Sequence, residues 1–174
     1  MVSVVMTVMG PDRPGLVDTL AGLIADNKGN WLDSRMSQLA GQFAGMLLVE
    51  VPKEQVEALS EALGRLSDRG LQTTFAVSDL VAGSDPQVAD AVALSIEVVG
   101  QDRPGIVSRI SSAIAGQGGN VEELRSELVD APMTAEKLFR AVIRVSAPNG
   151  IDSDTLADQL EEIASDLMVD IQIG

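Results

Sequence analysis

Residues 10–17 read GPDRPGLV and residues 100–107 read GQDRPGIV, so one loop is written twice, ninety positions apart. Each copy stands between an alternating apolar run and an apolar run of helical period. Residues 2–35 overlay residues 92–125 at that offset without a gap. The overlay matches Val8 with Val98, Gly10 with Gly100, Asp12 with Asp102, Arg13 with Arg103, Gly29 with Gly119, Asn30 with Asn120 and Arg35 with Arg125. Self-similarity of this extent means two copies of one supersecondary unit. Beyond Arg125 the second copy carries about six extra residues around VDAPMT, residues 129–134, after which Phe43 aligns with Phe139 and Pro52 with Pro148.

Working outward from the loop, Val2, Val4, Met6 and Val8 alternate with Ser3, Val5, Thr7 and Met9, which is strand spacing with one wholly apolar face. From Pro14 the period changes. Leu16, Val17, Leu20, Leu23 and Ile24 recur at helical spacing, with the proline in the first turn and Gly29 just past the last. Residues 31–39 and 43–51 read as two strands around the turn LAGQ. A second helix follows on Val56, Leu59, Leu63 and Leu66, closed by Gly70, and residues 71–78 form the last strand. The second copy repeats this with Ile106, Val107, Ile110 and Ile114, then Leu156, Leu160 and Ile163, then Val169, Ile171 and Ile173. The order is βαββαβ, twice. The expected fold is therefore α+β: two ferredoxin-like domains, 1–80 and 91–174, each an antiparallel sheet with both helices on one face. The Gly-, Pro- and Asp-containing stretch VAGSDPQVAD, residues 81–90, reads as a linker.

Composition narrows the chemistry. The chain has 174 residues, 45% of them apolar, enough for two small cores. It contains neither cysteine nor histidine, which removes disulfides, thiol chemistry, imidazole or thiolate zinc sites and every Ser-His or Cys-His pair. No segment is long and apolar enough to span a membrane and no basic leader opens the sequence, so a cytoplasmic protein is expected. With 26 acidic and 12 basic residues the formal charge is −14, and such a surface repels nucleic-acid phosphates.

The spacing from Gly10 to Gly15 is half of a phosphate loop, but Leu16 and Val17, like Ile106 and Val107, stand where Lys and Ser or Thr are needed. Pro11 and Pro14 also remove amides that would cradle phosphate. The G-x-G of a dinucleotide fingerprint is absent. What remains is a tight loop that delivers a helix N-terminus, whose amides and dipole favour a carboxylate by about 0.3–1 kcal/mol. Gly15 and Gly105 lack a Cβ and let a ligand approach the backbone, while Asp12 and Asp102 can accept nearby amides as a local cap; alternatively the Asp and Pro residues simply make the turn. Asn30 and Asn120 offer donors and an acceptor together, suited to an amino acid, or serve as turn residues. Arg13 and Arg103 can meet a carboxylate ligand, but an acidic neighbour on this negative surface is the favoured partner. Trp31, the sole tryptophan, reads as core or interface packing. Glu122-Glu123 and Glu161-Glu162 read as solvated faces rather than metal ligands.

The doubled G-x-D-R-P-G-[LI]-V followed by G-N resembles the ACT domain, a small amino-acid-binding regulatory fold. The whole chain is similar to the two-ACT-domain proteins of the glycine cleavage system transcriptional repressor family. That resemblance implies side-by-side pairing of sheets and amino-acid sites at domain interfaces near the first strand-to-helix loop. By position these are Asp12, Arg13, Pro14, Gly15 and Leu16 with Asn30, and Asp102, Arg103, Pro104, Gly105 and Ile106 with Asn120. It further implies a non-enzymatic sensor of a small amino acid, glycine foremost, needing no cofactor. The partner would be a DNA-binding regulator protein, with no direct contact to nucleic acid or membrane, and a homo-oligomer stays open. The alternatives are an ACT scaffold without a ligand and a regulatory fragment related to formyltetrahydrofolate deformylase, for which these 174 residues hold no catalytic domain.

Overall fold

The computed structural model describes residues 1–78, 92–131, 137–147 and 150–174. The chain divides into two compact units, Met1–Asp85 and Pro86–Gly174. The expected linker at 81–90, Pro148 and most of the extra segment around 129–135 lie outside the described residues.

The N-terminal unit runs β1 (Val2–Pro11), α1 (Leu16–Asp26), β2 (Asn30–Leu39), β3 (Gln42–Val51), α2 (Val56–Gly64) and β4 (Gln72–Ser78), with a 3₁₀ turn on either side of α2. The C-terminal unit repeats it as β5 (Val92–Gln101), α3 (Ile106–Gly116), β6 (Asn120–Asp130), β7 (Lys137–Ala147), α4 (Ser153–Leu167) and β8 (Val169–Ile173). The sheets are antiparallel, in the orders β2-β3-β1-β4 and β6-β7-β5-β8. The split βαβ topology read from the periodicities is the one adopted.

Alternation decides which face each strand buries. Val4, Met6 and Val8 meet Leu47, Val49 and Val51 under the helices, and Leu20, Ile24, Leu59 and Leu63 close the core from above. The second core copies the first: Ile106, Ile110 and Ile114 occupy the places of Leu16, Leu20 and Ile24. Trp31 packs, partly buried, against the N-terminal core, as its place on a strand suggested.

The ends of the first helix refine the sequence reading. Pro14 is not in the first turn of α1; Gly15 is the N-cap and the helix begins at Leu16. At the other end Gly29 stands just past the helix, as read, but is not itself in the left-handed conformation. That conformation falls on Lys28 (φ 57°) and, in the second unit, on Gly118 (φ 76°). The N–H of Gly29 returns to the carbonyl of Ile24 at 2.8 Å, and that of Gly119 to Ile114 at 3.0 Å, the six-to-one bond of a Schellman cap. Gly29 is required for space instead, since a Cβ there would stand 2.8 Å from both Ile24 Cγ2 and Val51 Cγ1. The turn LAGQ places Ala40 (φ 50°) and Gly41 (φ 77°) between β2 and β3, the signature of a two-residue hairpin whose twist matches that of its strands.

Candidate functional site

The repeated loop performs two separable jobs. Gly10 lies where β1 passes the end of the 3₁₀ turn after α2: a Cβ there would meet the Gly70 carbonyl oxygen at 2.5 Å, and at Gly100 it would meet Val169 Cα at 2.6 Å. These first glycines permit close approach of backbone. Gly15 (φ 89°) and Gly105 (φ 95°) are instead left-handed N-caps, and a Cβ on either would have nothing within 4 Å. The second glycines turn the chain sharply into the helix and leave open space before its N-terminus.

Among the described residues no side chain caps α1 or α3. The expected cap by Asp12 and Asp102 is therefore corrected, because the chain enters the helix through the left-handed glycine and the aspartate lies three residues ahead of it. Asp12 acts through its backbone, donating its N–H to the Gly41 carbonyl at 2.9 Å and so tying the loop to the β2–β3 hairpin. The first helical returns are Thr19 to Gly15 at 2.9 Å and Arg109 to Gly105 at 3.0 Å. The amides of Leu16 to Asp18, and of Ile106 to Ser108, thus face the loop without an intrahelical acceptor. The side chains of Leu16 and Ile106 are core, 5% and 2% exposed, so these residues can offer a ligand only their backbone. Pro14 and Pro104 are exposed beside them.

Among the described residues Arg13 does not pair with an acidic neighbour. Its guanidinium donates to the carbonyl of Arg69, at the end of the 3₁₀ turn after α2. Arg103 reaches the matching place, donating to Gln101 Oε1 at 3.2 Å and lying 3.4 Å from Met168 Sδ at the end of α4. A cation beside the carbonyl end of a helix meets the negative pole of its dipole, which explains why neither arginine needs a carboxylate.

Within a domain the structure does not bring the asparagines to the loop. Asn30 is exposed at the start of β2, opposite Glu50, which in turn pairs with Ser3 at the beginning of β1. The loop leaves the other end of β1, where Gly10 and Pro11 face Phe43 and Gln42. Eight residues of β3 at ~3.3 Å each separate the two levels by about 26 Å. Asn120, opposite Ser146, is likewise remote from Gly100 and Gln101, which face Phe139 and Leu138. Sequence reasoning missed this because the asparagine follows the loop by one helix, and a helix returns the chain to the opposite end of the sheet.

Glu123 is engaged by Arg125 at 2.7 Å and by Arg144 at 3.5 Å, as a residue on an ion-paired strand face. Among the described residues there is no group of three or more acidic side chains arranged to hold a metal ion. The titration of Asp152 is displaced downward. It caps α4 by accepting the hydroxyl of Thr155 at 2.7 Å and its backbone N–H at 3.1 Å, bonds that favour the charged form. No helix among the described residues is long and apolar enough to cross a membrane.

Comparison with known proteins agrees with this architecture. The chain is 22% identical over 163 residues to the glycine cleavage system transcriptional repressor of Escherichia coli (strain K12), an alignment covering 94% of this chain and 84% of that protein. A crystal structure of a protein of unknown function from Galdieria sulphuraria superposes with a TM-score of 0.80 at 29% identity, covering 99% of this chain and 96% of the other. The structure of a candidate glycine cleavage system transcriptional repressor superposes with a TM-score of 0.68 at 17% identity, over the same shares, and so matches in fold. Residues 3–76 and 93–174 each match the ACT domain, and with both halves accounted for the chain belongs to the ACT domain family as a tandem pair.

Proposed function

We propose that this chain is a non-enzymatic sensor of a small amino acid, with glycine as the first candidate, that acts in the cytoplasm by changing its affinity for a DNA-binding regulator protein. The observation that carries the reading is the pair of uncapped helix N-termini at Leu16 and Ile106, each presented by a left-handed glycine with open space beside it. Similarity over nearly the whole chain to a transcriptional repressor supports the regulatory role. The charge of −14 supports action through a protein rather than on DNA. A ligand can shift the partner equilibrium only by its differential affinity for the two states, so its effect on the partner and the partner's effect on it are equal.

Loop and asparagine stand at opposite ends of one domain, so one small ligand does not reach both within it. A small amino acid of about five heavy atoms gains at most ~1.5 kcal/mol per atom, so the ceiling is roughly −7.5 kcal/mol and binding lies in the micromolar to millimolar range. A thermal-shift panel of the common amino acids, followed by calorimetry on the hits, tests the reading. Stabilisation by one or a few amino acids supports the sensor. No response to any of them at ~10 mM, well above the expected range, leaves the scaffold reading in its place.

A further inference from the structure

The two sheets have the same topology, yet their helix-free faces differ in chemistry. In the N-terminal domain that face carries Val5, Met9, Met46 and Leu48, with Val5 38%, Met9 51% and Met46 55% exposed. Val5, Met46 and Leu48 share a shallow cavity of about 210 Å³ with Asp33 and Arg35 of β2. In the C-terminal domain the matching face bears ion pairs: Glu123 with Arg144 at 3.5 Å and Glu127 with Arg140 at 3.8 Å. The second face is built for water. The first leaves apolar side chains in water without such cover.

We infer that the helix-free face of the N-terminal sheet docks against the same face of a second copy of this chain. The charges select that occupant. Arg35 stands level with Met46 and Thr7, and Asp33 stands level with Leu48 and Val5, one step along the strands. A two-fold axis that runs across the strands between these levels exchanges them. It sets Arg35 against the partner's Asp33 and Met46 against the partner's Leu48, so the surface is complementary to itself, as an isologous interface must be. Among the described residues Arg35 makes no ion pair, and Asp33 accepts only the N–H of neighbouring Ser34, at 2.7 Å. Both charges are therefore available across the axis. Val, Met, Leu and Thr at the centre, with opposite charges at one edge, match the anatomy of packed antiparallel sheets about 10 Å apart.

Area sets the strength. Four strands ~4.8 Å apart and about six residues of usable length give a footprint of roughly 400 Å² per copy, half of the ~800 Å² per partner in a standard stable interface. The dimer is therefore weak and concentration-dependent.

Sedimentation velocity on the full chain from about 10 µM to about 1 mM tests this, with native circular dichroism required of every variant. The wild type is expected to associate as concentration rises, and Val5→Glu, two strands in from the β2 edge, to weaken association at least tenfold. Asp33→Arg and Arg35→Asp are each expected to associate less than wild type alone. Mixed in equal amounts they should form a heterodimer, because each then meets its opposite across the axis. A wild type that stays monomeric throughout overturns the inference. So does a Val5→Glu variant that associates like wild type, which would place the contact at a strand edge or elsewhere, and so does a mixture that gains nothing over the single variants.

Discussion

The repeated loop contains two glycines that look alike in sequence and should respond very differently to the same change. Gly10→Ala adds a methyl group 2.5 Å from the Gly70 carbonyl oxygen and 2.9 Å from Leu71 Cδ2. A backbone carbonyl cannot rotate aside as a flexible side chain does, so β1 and the end of the second helical segment must separate. Overpacking of a tight core typically costs 1–3 kcal/mol, and this contact belongs at about 3 kcal/mol. Gly15→Ala adds a methyl group with nothing within 4 Å but holds alanine at φ 89°. Left-handed backbone costs an L-residue roughly 1–2 kcal/mol, offset by about 0.4–1 kcal/mol from the lower entropy of the unfolded chain, for a net loss near 1 kcal/mol. Trp31 is the only tryptophan, there is no tyrosine, and it packs on the N-terminal core, so its fluorescence in urea follows that domain. With a slope of about 1 kcal/mol per molar urea for so small a domain, the midpoint should fall by about 3 M for Gly10→Ala and by about 1 M for Gly15→Ala. Equal shifts, or a larger one for Gly15→Ala, would refute the division of labour between close packing and backbone conformation.

Calorimetry with the amino acid identified by thermal shift should show weaker binding in Asn30→Ala with Asn120→Ala, whose side chains are exposed and contribute no core packing; unchanged affinity in this natively folded variant would remove both asparagines from the proposed site and leave the loops to be tested alone. Asp152→Ala should destabilise the C-terminal domain at neutral pH. The folded-state pKa of Asp152 is lowered, so its contribution is present above the ordinary value of 3.8 and is lost as pH falls through the lower folded value; urea titrations of the two proteins should converge in acid. A duplex DNA mobility assay at ~0.15 M salt should give no shift with the purified chain, and a clear shift would contradict the charge argument.

Much of this protein is legible without coordinates because its physics is local. The period-two run from Val2 to Met9 and the helical run from Leu16 to Ile24 state which side chains must leave water, and Val4, Met6, Val8, Leu20 and Ile24 are indeed buried. The doubled loop states that this happens twice, and the order of periodicities leaves the split βαβ sheet as the way to bury both helices. What the sequence could not decide depends on which end and which face of the finished sheet a residue occupies. Asn30 follows the loop by a single helix, yet strand register puts it at the far end of β1. Arg13 stands among acidic residues in sequence, yet the end of the second helical segment supplies a carbonyl to its guanidinium. Lys28, not the adjacent Gly29, takes the left-handed turn of the Schellman cap, while Ile24 and Val51 leave no room at Gly29 for anything larger than hydrogen. Val5 and Leu48 alternate with core residues along their strands, and only pairing of β1 with β3 sets them side by side on an uncovered face. Local free energies of burial and backbone conformation are written residue by residue. Register and the meeting of distant segments arise only when the sheet is assembled, since they depend on contacts between residues that the chain holds far apart.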